Sequence, residues 1–295
     1  MKDGGFDHAA VHEKSGTLYV AHTANDAVDI IDCERDKYLG SIRGLTGVAG
    51  VLVSNDQDLV FTSNRGEKTV GIFRHGKDDG LVKVSVGGSP NGLAYNPSTR
   101  HLLAANVSKL DDPNPVTVST VDVNLHAMIS DVPVPGRTRW TVYDSESDRF
   151  YVNISKPSQI IATSPHDPKR ITPIYDIPAT GPHGLDIDSV NRRLFCACDQ
   201  GGLFIIDLRL DKVLKASDLA GQPDVIFHNS QLNHLYVAIG DPGLIQIFDT
   251  KSLTPIQTVM TERGTHTIGF SQTRNKVYAF MPSTHRAAVY FDSAG

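Results

Sequence analysis

The chain repeats itself with a period near 42 residues, and a period of that size restricts it to solenoids, propellers or similar arrays. Gly88-Ser-Pro-Asn-Gly-Leu-Ala-Tyr-Asn, Gly181-Pro-His-Gly-Leu-Asp-Ile-Asp and Gly221-Gln-Pro-Asp-Val-Ile-Phe-His-Asn are versions of one opening segment. Gly136-Arg-Thr-Arg-Trp-Thr-Val-Tyr-Asp and Gly264-Thr-His-Thr-Ile-Gly-Phe-Ser are looser copies. A short apolar run follows each opening: Leu18-Tyr-Val-Ala, Leu59-Val-Phe-Thr, Leu102-Leu-Ala-Ala, Phe150-Tyr-Val-Asn, Leu194-Phe-Cys-Ala, Leu235-Tyr-Val-Ala and Val277-Tyr-Ala-Phe. A third run usually ends in aspartate, as at Asp32, Asp122, Asp207, Asp249 and Asp292, and a more polar fourth run follows, such as Lys212-Val-Leu-Lys-Ala-Ser.

One position just before each first run sets the register: Asp7, Ala49, Asn91, Arg139, His183, Asp224 and His266, in steps of 42, 42, 48, 44, 41 and 42. Four short strands per unit, turn residues between them and no helical period predict an all-β, seven-bladed β-propeller. The whole chain, 1–295, reads as one domain with blades at 5–46, 47–88, 89–136, 137–181, 182–221, 222–264 and 265–295. Blade seven has room for three strands, the other blades for four. Ring closure buries sheet faces between blades and removes long open edges.

Leu18-Tyr-Val-Ala-His-Thr-Ala-Asn-Asp-Ala-Val-Asp-Ile-Ile-Asp32 resembles the repeat of the YVTN, or YncE-like, propellers, and Gly88 to Pro97 resembles that family's unit-opening segment. The resemblance spans nearly the whole chain and implies the fold. It is poor for function, because the family and its distant relatives include binding proteins, streptogramin lyases and lactonase-type propellers.

Composition narrows the partners. With 28 Lys+Arg against 33 Asp+Glu the formal charge is −5, which argues against a nucleic-acid partner; only Arg137, Arg139, Trp140 and Lys156 offer a basic, aromatic patch. No stretch approaches the roughly 20 apolar residues of a membrane helix, and the start Met1-Lys-Asp-Gly-Gly lacks the apolar core of a signal peptide. Cys33, Cys196 and Cys198 have no framework spacing and read as reduced, buried thiols. The expectation is a cytoplasmic monomer, or a secreted or periplasmic one if a leader has been trimmed.

Loops entering the innermost strand and loops joining the second and third strands share one face, where irregular chain on a rigid ring can carry chemistry. The register residues therefore ring the channel mouth, with His183, Asp224, His266 and Asp7 on consecutive blades and Arg139 beside Trp140 on blade four. Of twelve histidines, His8, His22, His183, His266 and His285 fall at the mouth. Imidazole and carboxylate from neighbouring blades are ligand types for a divalent ion (Zn, Mg, Mn or Ca), so His8, His22, His183, Asp224 and His266 form a candidate metal set. No organic cofactor motif is present: there is no phosphate loop, no H-E-x-x-H and no nucleophile elbow. The same polar ring also fits a plain solvated channel with structural His–Asp hydrogen bonds.

The resulting expectation is a small-molecule enzyme with a pocket at the channel mouth. It would catalyse metal-assisted elimination (a lyase) or hydrolysis of a lactone- or ester-type carbonyl substrate, as the resemblance to the propeller lyases implies. His183 and His266 are the candidate bases, and Arg139 would hold negative charge as it develops. Trp140, Asn91, Asp7 and His285 are candidate substrate contacts. Val107 to Pro115, the longest mouth loop, is a candidate lip. The alternative is a non-catalytic ligand-binding or protein-interaction propeller.

Overall fold

The computed structural model describes residues 5–107 and 115–293. Residues 108–114 of the candidate lip lie outside that set. The chain forms seven antiparallel sheets arranged as the blades of a propeller, six of four strands and the last of three. A single 3₁₀ turn, Thr23–Asn25, is the one helical element among the described residues. No helix among them is long and apolar enough to cross a membrane.

The innermost strands are Phe6–His12, Val48–Ser54, Ser89–Asn96, Thr138–Asp144, Pro182–Asp188, Pro223–Asn229 and Thr267–Ser271. Six of the seven register residues lie inside these strands, near their first residue; only His266 precedes its strand. The reason is a local irregularity. Pairing with the second strand slips between Phe6 and Ala9, Val48 and Gly50, Thr138 and Thr141, Pro182 and Gly184, and Pro223 and Ile226. A bulge adds a residue and re-aims side chains that regular pleating would send into the blade. Asp7, His8, Arg139, Trp140, His183 and Asp224 all occupy these slips.

The repeat signatures are explained by geometry. In Pro90-Asn-Gly-Leu, a Cβ on Gly92 would lie 2.7 Å from the Arg139 carbonyl oxygen, and one on Gly184 would meet the Asp224 carbonyl more closely still. Glycine there lets neighbouring inner strands approach. The aspartate ending the third strand is equally structural. Asp32, Asp122, Asp207 and Asp249 each accept the backbone N–H groups two and three residues on. The residue four positions on then adopts positive φ, at Asp36, His126, Asp211 and Leu253. These are Asx-type turns closing the outer hairpin, so the most repeated acidic residue belongs to the fold.

Stability resides between blades. Tyr19, Val28, Ile42, Leu45, Val60 and Phe73 form the core of blades one and two, and equivalent clusters fill the other interfaces. Each buried Leu, Ile or Phe there contributes about 1.5–3 kcal/mol against exposure. The three cysteines are buried and free. A buried ion pair also crosses blades: Arg192 Nη1 donates to Asp144 at 2.7 Å, and Asp144 is wholly buried.

Candidate functional site at the channel mouth

The bulges and the loops after the second strands converge on the channel entrance. His183 on blade five is the centre of the cluster. Its Nδ1 lies 2.7 Å from an Asp199 oxygen and its Nε2 lies 3.1 Å from an Asp224 oxygen. Both partners only accept, so the arrangement favours hydrogen on both ring nitrogens. Burial opposes the charge this brings, but the Asp224 and Asp199 carboxylates outweigh it and raise the His183 pKa to about 9. In return Asp224 is held well below the usual carboxylate range despite its burial, chiefly by His183 with His266 and His8 assisting. Asp199 is likewise lowered against burial by its bond to His183.

Arginines close the ring. Arg139 donates from Nη2 to Asp199 at 3.3 Å, and its Nη1 stands 3.3 Å from His183 Nε2 as a contact between like charges. Arg65, on the loop after the second strand of blade two, donates to the Asn91 side-chain oxygen at 2.5 Å and to Asp7 at 3.3 Å. Burial lowers the Arg137 pKa, as do the nearby charges of Arg139 and Arg65. The buried Nε–H groups of Arg65 and Arg139 find no acceptor among the described residues. Asp7, Asp199 and Asp224 thus face three guanidiniums and one imidazolium, leaving the mouth locally cationic on an acidic protein.

His266 differs in its partners. Its Nδ1 donates to the Gly264 carbonyl at 2.8 Å. That Nε2 is 4.0 Å from the second oxygen of Asp224, and the side chain is 36 % exposed. Asp224 therefore stands between the buried His183 and the solvent-reached His266.

His8 and Trp140 come from opposite sides of the ring, with ring centroids 3.8 Å apart and planes tilted by 36°. Burial lowers the His8 pKa. An apolar cavity of about 440 Å³ lined by both continues along the inner strands to Asn55 and Asp56. Trp140 was expected as a substrate contact; it lies against His8 and the inter-blade cores.

His22 and His285 are placed elsewhere. They line a separate cavity between blades one and seven with Phe6, Val20, Phe280 and Arg286, and none of the axial residues lines it. His22 Nδ1 donates to Asp29 at 2.8 Å, and Asn25 donates to His22 Nε2 at 2.6 Å. The sequence grouped both histidines with the mouth because they share its face, but their greater radius puts them in another space.

The residues of the predicted metal set are not drawn together into one group. Among the described residues no three His, Cys, Asp or Glu side chains are disposed to hold a metal ion. His183, which would have to ligate as a neutral ring, has both nitrogens committed to carboxylates. Sequence reading also missed Arg65 and Asp199. Each directly follows its second strand, one residue beyond Asn64 and Cys198, so a register read one position later would have found both.

No protein-family model matches the chain, and no curated protein sequence matches it. The YVTN-like pattern therefore stands as a resemblance in the repeat alone. Solved structures do match. A chain of hydrazine synthase from Kuenenia stuttgartiensis superposes with a TM-score of 0.85 at 12 % identity, covering 100 % of this chain and 97 % of that one. A chain of a mitotic checkpoint complex gives 0.79 at 10 % identity, covering 97 % and 87 %. A streptogramin B lyase gives 0.79 at 12 % identity, covering 96 % and 92 %. Likeness to proteins so different in role, at such identity, establishes a seven-bladed propeller and leaves the role to the site.

Proposed function

We propose that this propeller is a small-molecule enzyme that opens lactone- or ester-type carbonyl compounds bearing negative charge, by proton transfer at the channel mouth. The observation that carries the reading is the pair of histidines sharing Asp224, a buried His183 held between two carboxylates and a solvent-reached His266 whose Nδ1 is taken by a backbone carbonyl. His266 is the base. Its Nε2 takes a proton either from the carbon adjacent to the one that bears the ester oxygen, on the alcohol side and acidified by a second carbonyl attached to it, or from a water molecule. In the first case the electron pair forms the new carbon–carbon double bond and the ring oxygen departs as carboxylate. In the second the water oxygen adds to the carbonyl carbon and the ester bond breaks. Arg139 and Arg65 face the oxygen charge that builds in either case, and their unsatisfied Nε–H groups suit an anion. His183 is a positioning residue that holds Asp199 and Asp224 in place.

The streptogramin B lyase among the structural neighbours is in keeping with elimination chemistry, and the buried thiols suit a reducing compartment such as the cytoplasm. A second reading, a non-catalytic docking surface, draws on the mutual pairing of Asp199, His183 and Asp224, which needs no ligand. Turnover separates the two. Protein dialysed against a chelator is incubated with a panel of carboxylate-bearing lactones and esters, and products are identified by mass spectrometry. The enzyme reading expects turnover in wild type and its loss in His266→Ala, with gain of water marking hydrolysis and its absence marking elimination. Turnover unchanged in His266→Ala, or none with any of the panel, favours the docking surface.

A further inference from the structure

The core between blades seven and one differs from the other six. Each of those includes an apolar residue from the fourth strand or the turn after it: Ile42 and Leu45, Val84 and Val86, Val132 and Val134, Tyr175 and Ile177, Ala216 and Leu219, and Val259. Those side chains pack on the second and third strands of the next blade. Blade seven supplies no such residue, because its last strand among the described residues is the third, Arg286–Phe291. At the corresponding place lies a cavity of about 660 Å³, floored by Phe6, Val20, Ile31, Tyr278 and Phe280. Its polar lining is largely committed: His22 has both ring nitrogens bonded, Asp29 accepts from His22 and Ser41, and Asp36 accepts from Lys276 and Tyr278, so the floor offers contact rather than chemistry.

Two further features describe the occupant. Arg286–Phe291 is an open sheet edge, with Ala287 exposed on it and Phe291 71 % exposed beyond the cavity. An open edge presents unpaired backbone groups in strand register. Arg43 and Arg286, both exposed and on the cavity lining, form no ion pair with any described carboxylate. We propose that this edge and cavity capture an extended peptide strand of a partner protein. The strand adds as the fourth of blade seven, sets apolar side chains at alternate positions into the cavity and brings a flanking carboxylate to Arg43 or Arg286.

The test uses fluorescein-labelled Glu-Val-Thr-Val-Thr-Val-Glu and fluorescence anisotropy with the whole chain. Saturable binding is expected, weakened at least about threefold when both glutamates are lysine. Ala287→Trp, which fills the exposed rim without touching buried core, should weaken it at least about tenfold while the thermal transition stays in place. Arg286→Glu should reverse the preference between the acidic and basic peptides, and keeps the proposal testable if the tryptophan variant folds poorly. Equal binding by a peptide N-methylated at alternate amides would overturn strand addition, leaving a cavity that takes apolar groups alone. No binding, or binding indifferent to both variants, would overturn the site.

Discussion

Replacing His183 with glutamine removes the charge that organises the mouth, and the consequence depends on pH in a defined direction. The folded-state pKa is raised from 6.5 to about 9, so the native protein binds this proton more tightly than the unfolded chain does. That stabilisation is fully present below the unfolded pKa of 6.5 and is lost as pH rises through about 9. A shift of this size corresponds to about 3 kcal/mol, an upper figure because Asp224 and Asp199 share the same interactions. The side chain is only 13 % exposed, so solvent screening removes little of it. Urea unfolding of wild type and His183→Gln across this range gives the difference for the His183, Asp199 and Asp224 cluster, since titrating groups outside it cancel between them. Wild type should be the more stable by a few kcal/mol at the acid end, and the gap should narrow steadily towards the alkaline end. A gap independent of pH would refute the imidazolium assignment, and one that widens as pH rises would refute its sign.

Three other perturbations report on different parts of the molecule. Removing the base, His266→Ala, should lower turnover by roughly 10²–10⁴ while leaving the urea midpoint unchanged, read from steady-state assays beside an unfolding curve. Trp140 is the sole tryptophan, so its fluorescence reports on His8. Since burial lowers the His8 pKa, quenching by the protonated ring should set in only at a pH below 6.5 and vanish in His8→Gln. Breaking the buried pair with Asp144→Ala should cost about 3–5 kcal/mol by leaving Arg192 uncompensated, as measured by the urea midpoint, and a loss under 1 kcal/mol would contradict the burial argument.

The blade count was legible because strand-forming runs and Asx-type turns recur in every unit, and each recurrence has a local cause. Glycine in Pro-Asn-Gly-Leu and Pro-His-Gly-Leu marks a close approach of strands, and the aspartates mark hairpin turns. His183, Asp224, His266 and Arg139 were legible as mouth residues because the register fixes which loop end each occupies. Contacts between blades were not. Nothing local pairs His8 with Trp140, which meet only because blades one and four face each other across the axis. Radial distance was also hidden. His22 and His285 share a face with the axial residues yet line a cavity beside the blade that has three strands among the described residues. Side-chain partners were hidden as well: residue types suggested metal ligands, but the carboxylates beside His183 and His22 become visible only once the blades are assembled.

The measurement closest to the central claim is nitrogen NMR of protein labelled at the histidine rings, near neutral pH. The proposed chemistry requires His183 protonated on both nitrogens and His266 protonated on Nδ1 alone, with assignments taken from His183→Gln and His266→Ala. A neutral His183, or a His266 carrying its proton on Nε2, would contradict the separation of charged and basic histidines on which the proposed chemistry rests.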